Sequence, residues 1–209
     1  MREHISSNEK EDKYITSLVN NLKQDKTDLT NTIRDNQKKL DLLDSLLSLA
    51  SADMTNPANK TSLYEYSGFV SFYSAFSSND ATMVQLKNAG GFQFIRKDHI
   101  ADSISRYDEI MRGISAAENP YAKSINDAMD ALSEIVLFKV WHDSSYLKNN
   151  IFTNKELPLL TTNSQKLSVF FNKIYFERGW TKNYLNNLQD KLPYTIRLIE
   201  LLKNKYHLN

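Results

Sequence analysis

A helical pattern of apolar residues, which extends from about Asn8 to Ala52, limits the fold of this chain more than any other sequence feature. Apolar residues recur at steps of three and four, no Gly or Pro interrupts them, and charged or amide residues fill the positions between. Roughly 45 helical residues form a rod of roughly 65 Å, which needs packing partners along its length. The apolar positions are Ile15, Leu18, Val19, Leu22, Leu29, Ile33, Leu40, Leu43, Leu47 and Ala50.

Polar residues interrupt this stripe at one point. Asp25, Lys26 and Asp28 lie between Leu22 and Leu29, where an apolar residue is expected. Such an interruption can set the register of a helix or bind a ligand. A stripe with a 3.6-residue period also drifts around the helix, so we expect these charges to be solvated.

The composition favours an all-α protein. A chain of 209 residues with five Gly, four Pro and no dividing linker predicts a single helical-bundle domain over residues 1–209. The 26 Lys and Arg nearly balance the 25 Asp and Glu, so we predict no nucleic-acid partner. The lack of Cys excludes disulfides and cysteine-based metal sites. No apolar run is long enough to span a membrane.

Capping patterns and helix breakers predict the remaining elements. Helix one begins at Asn8 or Ser6 and ends near 51–53, before Thr55-Asn56-Pro57. The next predicted elements are a helix over 62–76, a short helix over 81–89 and an extended connector or small ribbon at 92–95. They are followed by a helix that is capped by Asp98, breaks or kinks at Glu118-Asn119-Pro120 and continues to His142. The last predicted elements are a loop over 143–162 and a helix over 162–206 that is kinked at Pro193.

These elements predict an antiparallel helical bundle of four-helix type, with a very long N-terminal helix and a short helical pair. Its core is predicted to include aromatic residues, which supply a large buried area. The aromatic positions that we place in the core include Tyr66, Phe69, Phe72, Tyr73, Phe76, Phe138 and Tyr175.

The stretch from Val84 to Tyr107, VQLKNAGGFQFIRKDHIADSISRY, resembles a pattern in an uncharacterised family of single-span bacterial membrane proteins. The pattern is Leu, Lys, two small residues, Gly, apolar residues, Ile, and then a capped helix that ends in Tyr. The resemblance covers about the first 115 residues and implies an extracytoplasmic domain whose long first helix follows the membrane anchor. It implies a periplasmic location if an upstream anchor exists, and a cytoplasmic one otherwise. It transfers no activity.

Polar clusters give weak signals of chemistry. His99 with Asp98 and Asp102 lacks a second His at helical spacing, so we predict no metal site. His142 ends a predicted helix beside Trp141, a position typical of a structural His. Asp127, Asp130 and Glu134 share one helical face that could bind a cation or a basic partner, although we expect it to be solvated. His4 and His207 lie near the ends, and we predict no cofactor.

The leading functional hypothesis is a non-enzymatic helical interaction or sensor module, with an unidentified protein partner or small ligand. Its candidate partner site is the turn formed by Gly90, Gly91, Phe92, Phe94, Arg96 and Tyr107. The competing interpretation is that these rings close the end of the bundle. Two other hypotheses stay open: a soluble enzyme that uses His99 or His142 with nearby carboxylates, and a homo-oligomeric scaffold paired through helix one.

Overall fold

The computed structural model describes residues 7–88, 90–97, 99–149, 151–152 and 156–208, which are mostly helical. Three long helices dominate: α1, α4 and α5. The α-helices are α1 (Ser7–Leu47), α2 (Pro57–Ser67), α3 (Ala81–Asn88), α4 (Ile100–Ser133) and α5 (Ser164–Tyr206). Two 3₁₀ helices, Gly91–Phe94 and Phe138–His142, and a hairpin of β1 (Leu147–Lys148) with β2 (Ile151–Phe152) complete the described elements. The predicted all-α bundle with a long first helix is confirmed.

The chain divides into two compact units, and α1, α4 and α5 each contribute one segment to both. In each unit a short helix accompanies these three segments: α3 in unit 1 and α2 in unit 2. This is the short helical pair expected from the sequence. Unit 1 comprises Met1–Arg34, Ala75–Ala117 and Asn186–Asn209; unit 2 comprises Asp35–Ser74 and Glu118–Leu185.

Unit 1 buries the first part of the α1 stripe. Ile15, Leu22 and Leu29 are fully buried there, as is Leu86 of α3. Burial of each such side chain stabilises the fold by about 1.5–3 kcal/mol. Within the described residues, the chain's own side chains therefore cover these apolar positions of α1 in unit 1.

Unit 2 has its core around Tyr64 of α2, which is fully buried. Its hydroxyl donates to the Pro158 carbonyl at 2.6 Å and accepts from the Leu137 N–H at 3.0 Å. Its backbone carbonyl accepts from the Trp141 indole N–H at 3.1 Å. One tyrosine thus holds the segments that follow α4 and precede α5, where helical hydrogen bonds are missing.

The second helix differs from its prediction at both ends. It begins at Pro57, because the Asn56 side chain caps it by accepting the Ala58 N–H and Pro at the first position needs no donor. It ends at Ser67, and residues 72–80 carry no regular structure. The prediction that Phe69, Phe72 and Tyr73 lie in the core is therefore wrong; all three are exposed.

Helix α4 continues through Pro120, so of the predicted break or kink the break is absent, and it ends at Ser133 instead of continuing to His142. The Leu160 N–H donates to the Ile135 carbonyl at 2.8 Å, so pairing with the segment before α5 replaces helix here. Phe138, predicted to be inside, is partly exposed in the second 3₁₀ helix. Residues 91–94 form a 3₁₀ helix rather than an extended connector.

Helix α5 begins at Ser164, where the Asn163 side chain accepts the Lys166 N–H, and it contains Pro193. Tyr175, predicted to face the core, is exposed. Three residues discussed above, His4, the alternative cap Ser6 and the predicted cap Asp98, lie outside the described residues.

Two Gly-to-Ala substitutions should have opposite effects on stability. A Cβ at Gly91 would lie 2.9 Å from the Leu86 Cα, so we expect Gly91→Ala to destabilise unit 1 by about 1–3 kcal/mol. Gly113 lies exposed in α4 with nothing within 4 Å of an added Cβ, so Gly113→Ala should stabilise by up to about 1 kcal/mol. Urea unfolding of both variants measures this, and an equal effect of the two would contradict the packing around Gly91.

Candidate functional site

Buried polar side chains of α1 hold two connecting segments of unit 1. Asp25 is fully buried; its carboxylate accepts from the Asn79 N–H at 2.6 Å and from the Tyr107 hydroxyl at 2.5 Å. Nearer the start of α1, the Glu11 carboxylate accepts from the Arg96 N–H at 3.0 Å and from the Tyr206 hydroxyl at 2.5 Å. Asp25 thus fixes the chain before α3, and Glu11 fixes the chain before α4.

The expectation that the polar interruption of α1 is solvated is wrong for Asp25. Burial raises the pKa of its carboxyl, although the two hydrogen bonds act in the opposite direction. Burial also raises the pKa of Tyr107, and the facing Asp25 raises it further. The space beside this pair is about 10 Å³, about enough for one water molecule. The interruption is therefore a structural contact rather than a ligand site.

Unit 2 contains a buried ion pair between α1 and α5. Lys39 Nζ lies 2.7 Å from Glu177 Oε1, and both side chains are fully buried. The same ammonium donates to the Val70 and Phe72 carbonyls at 3.2 and 2.5 Å and lies over the Tyr121 ring. Lys39 therefore donates hydrogen bonds to carbonyls of the irregular segment after α2 and also pairs with a carboxylate of α5.

A second polar residue of α1 continues this cluster. Asn36 donates to the Ser74 carbonyl at 2.9 Å and accepts from the Tyr121 hydroxyl at 2.9 Å. The Tyr121 ring stacks on Tyr184 with a centroid separation of 5.1 Å and contacts Tyr73 at 5.3 Å. The centre of unit 2 is thus a layer of polar groups and rings that connects α1, α4 and α5.

Burial outweighs the mutual attraction of the ion pair for both partners. It lowers the pKa of Lys39, and it raises the pKa of Glu177 to about 7, although each charge favours ionisation of the other. Glu177 Oε2 has no hydrogen-bond partner within the part of the chain that the structure describes. The pair is an electrostatically costly contact, and its protonation changes near neutral pH.

The predicted partner turn is only partly a surface. Gly90 adopts φ +63°, a left-handed conformation suited to Gly, and is exposed, whereas Gly91 is buried. Phe94 is half-buried, stacked at 6.5 Å on Tyr14, with the Lys10 ammonium over its ring.

The other three residues of that turn are placed differently from one another. Phe92 is half-buried and the Arg96 side chain is exposed. Tyr107 is only 4% exposed and is bonded to Asp25, so the structure does not bring it to the same surface.

The three histidines that the structure describes do not form a shared site. His99 is exposed with φ +62°, and His207 is exposed with φ +53°. His142 is exposed and lines a groove of about 410 Å³ with mainly apolar neighbours, including Phe138 and Trp141. Among the residues described by the structure, no group of three or more His, Asp or Glu side chains could hold a metal ion.

A surface groove lies between α4 and α5 of unit 2. Two adjoining depressions, of about 630 and 550 Å³, share Asp127 and Lys173. Ion pairs join the helices across it, Lys173 to Asp127 at 3.8 Å and Lys166 to Glu134 at 3.1 Å. Since residue numbers rise on one helix as they fall on the other, α4 and α5 are antiparallel here.

Opposite charges line the two sides of this groove. Asp127 and Asp130 belong to α4, Glu134 directly follows its last residue, and Lys166 and Lys173 belong to α5. Asp130 and Glu134 are exposed, as expected for a solvated acidic face, and Asp127 is partly exposed. This acidic face forms one side of a depression whose other side is basic.

Exposed apolar side chains lie along the α5 side of the groove. Val169 is 50% exposed and Phe176 is 59% exposed, and Phe176 meets the half-buried Trp180 edge-on. None of these three residues belongs to the predicted inner stripe of the last helix or to a predicted site. Their spacings of seven and four are helical, so they form a second apolar stripe beside the inner one, and this pattern could have revealed them.

No protein-family model matches the chain, and comparisons with curated proteins and with solved structures found no match. No helix within the described residues is both long and apolar enough to cross a membrane. The function is therefore inferred from the geometry of the chain's own residues.

Glu177 should make stability depend on pH. Its pKa in the folded state, about 7, is raised above the usual 4.5, so the folded state holds the proton more tightly. Protonation of Glu177 therefore adds its full contribution to the free energy of unfolding below about pH 4.5. As the pH rises through about 7 this contribution, about 1–3 kcal/mol, is lost. In Glu177→Gln this loss should be absent.

Urea unfolding of both proteins between about pH 5 and about pH 8 measures the difference. The exposed variant Glu65→Gln is the matched control and should keep the wild-type dependence. Parallel curves for wild type and Glu177→Gln would show that Glu177 does not titrate in this range.

Proposed function

We propose that this chain is a non-enzymatic helical interaction module that binds a protein partner through the α4–α5 groove of unit 2. The observation that carries the proposal is the exposed apolar row of Val169 and Phe176, beside Trp180, on the α5 side of a groove whose two sides carry opposite charges. Protein interfaces combine an apolar centre with a polar rim, and aromatic residues are enriched there.

The groove suits a macromolecular partner better than a small ligand. Both depressions are open to solvent and shallow, whereas small-molecule sites enclose most of their ligand. Four of its charged side chains form ion pairs across the groove, Lys166 with Glu134 and Lys173 with Asp127. A helix or helical pair from a partner would cover the aromatic row and keep the charged rim at the edge of the contact.

The turn at 90–96 stays a second candidate, but it presents less exposed apolar area. Gly91 and Tyr107 are buried, and Phe94 is held between Tyr14 and Lys10. Among the aromatic side chains at the two candidate surfaces, Phe176 is the most accessible.

Site-specific photo-cross-linking in the native cell tests the proposal. A benzophenone amino acid at position 176 should form covalent adducts with the partner, because the ring projects from the groove. The same amino acid at the exposed Lys139, outside the groove, is the matched control. No adduct at 176, or adducts of equal yield at both positions, would contradict the proposal.

We also propose that the module works at the extracytoplasmic face of a bacterial membrane, attached through an upstream span. The resemblance of residues 84–107 to the family of single-span proteins supports this placement. A continuous α1 would then connect the anchor with both units, and a partner bound to unit 2 could bias the position of that helix.

Membrane fractionation of the native protein, with protease added from outside the inner membrane, tests this location. We expect a membrane-bound protein that the protease digests. A protein that stays in the soluble fraction and is protected from protease would contradict the membrane placement, and it would leave the groove proposal intact.

A further inference from the structure

We infer that the α4–α5 groove binds the same groove of a second copy of this chain, with a twofold axis parallel to the two helices. This inference rests on the proposed function, since it names the partner of the same groove. It follows from the distribution of charge on the two helices and from the exposed apolar row on α5.

The groove is complementary to itself in charge. Its α4 side carries Asp127, Asp130 and Glu134, with Lys123 paired to Asp127 at one end, and its α5 side carries Lys166 and Lys173. The α4 side therefore keeps a net negative charge. An unrelated helix would need a basic face toward α4 and an acidic face toward α5. A second copy has both faces already, because its own α5 is basic and its own α4 is acidic.

The charges select one orientation of the twofold axis. An axis parallel to the helices places α4 of each copy opposite α5 of the other, at the same height along the groove. Glu134 then faces Lys166 of the second copy, and Asp127 faces Lys173 of the second copy. An axis across the helices places α4 against α4, so that three carboxylates meet three carboxylates, which is destabilising.

The same arrangement also buries the exposed apolar row of α5. Phe176 and Val169 project from α5 toward the groove, where the second copy would exclude water from them. Burial of Val169 and Phe176 next to the intermolecular ion pairs would combine apolar contacts with charged ones, as protein interfaces do.

The size of the groove predicts weak association. Residues 120–134 of α4 span roughly 22 Å, and two adjacent helices are roughly 20 Å wide, so each copy contributes roughly 440 Å² in projection. Stable complexes bury about 800 Å² per partner. We therefore expect a reversible dimer that forms at micromolar or higher concentration.

Charge reversal on each side of the groove tests this inference. The doubly positive variant is Asp130→Lys with Glu134→Lys, and the doubly negative variant is Lys166→Glu with Lys173→Glu. Each variant alone should dimerise at least about tenfold more weakly than wild type, because like charges meet across the axis. A mixture of the two should form heterodimers, because opposite charges face each other again. Sedimentation equilibrium from about 1 µM to about 1 mM measures all four samples.

A matched control separates local pairing from net charge. The variant Lys38→Glu with Lys139→Glu makes the same change in net charge as the doubly negative groove variant, but at exposed positions outside the groove. This control should dimerise as wild type does. Equal weakening of the control and of the groove variant would overturn the inference.

Disulfide formation tests the orientation, because the chain contains no Cys of its own. Glu134→Cys and Lys166→Cys, made in separate chains and mixed, should give a mixed disulfide dimer. Preferential Glu134→Cys homodimers would overturn the parallel axis. Lys38→Cys mixed with Lys166→Cys is the control and should give none.

A wild-type chain that stays monomeric up to about 1 mM would overturn the second-copy inference. The proposed function would survive that result if photo-cross-linking at 176 gave an adduct with a different protein. Adducts of twice the chain mass would support the proposed function and the second-copy inference. The absence of any adduct would contradict the two of them.

Discussion

The backbone groups of the irregular segments need hydrogen-bond partners, and buried polar side chains of α1 provide them. In unit 1, Glu11 and Asp25 accept the N–H groups of Arg96 and Asn79. In unit 2, Asn36 and Lys39 donate to carbonyls of the segment that follows α2. A long helix with a purely apolar inner face would pack as well, but it would leave these connectors unpaired and therefore unfavourable to bury.

This use of polar residues explains why α1 is interrupted where it is. Desolvation of Asp25, Lys39 and Glu177 opposes their ionisation, as the directions of their pKa shifts show. Each of these groups nevertheless bonds to more than one part of the chain or faces an opposite charge. Their contribution is to specify which connector lies on which turn of α1, which apolar contacts alone define poorly.

The helices could be predicted from their apolar periodicity, because α1, α3, α4 and α5 repeat every three to four residues over most of their length. The end of α2 could not, because the aromatic spacing after Ser67 continues a helical pattern that the structure does not adopt. The pairing of Lys39 with Glu177 joins two distant parts of the sequence. Lys39 and Glu177 each occupy an inner position of an otherwise apolar stripe. Two inner polar positions of opposite charge on different helices were therefore the sequence feature that could have predicted this pair. The candidate groove required knowledge of which α4 and α5 faces adjoin, and periodicity within one helix does not contain that information.

The division of α5 between the units has a consequence for the order of folding on the ribosome. Unit 1 requires residues from 186 onward, and unit 2 requires residues up to 185 of the same helix. Synthesis proceeds from the N-terminus, so α1 leaves the ribosome with Asp25 and Lys39 still hydrated and its apolar stripe uncovered. Neither unit acquires its third long helical segment until α5 has been made. The nascent chain must therefore stay soluble through most of its synthesis, and the many charged residues interleaved along α1 are suited to that interval.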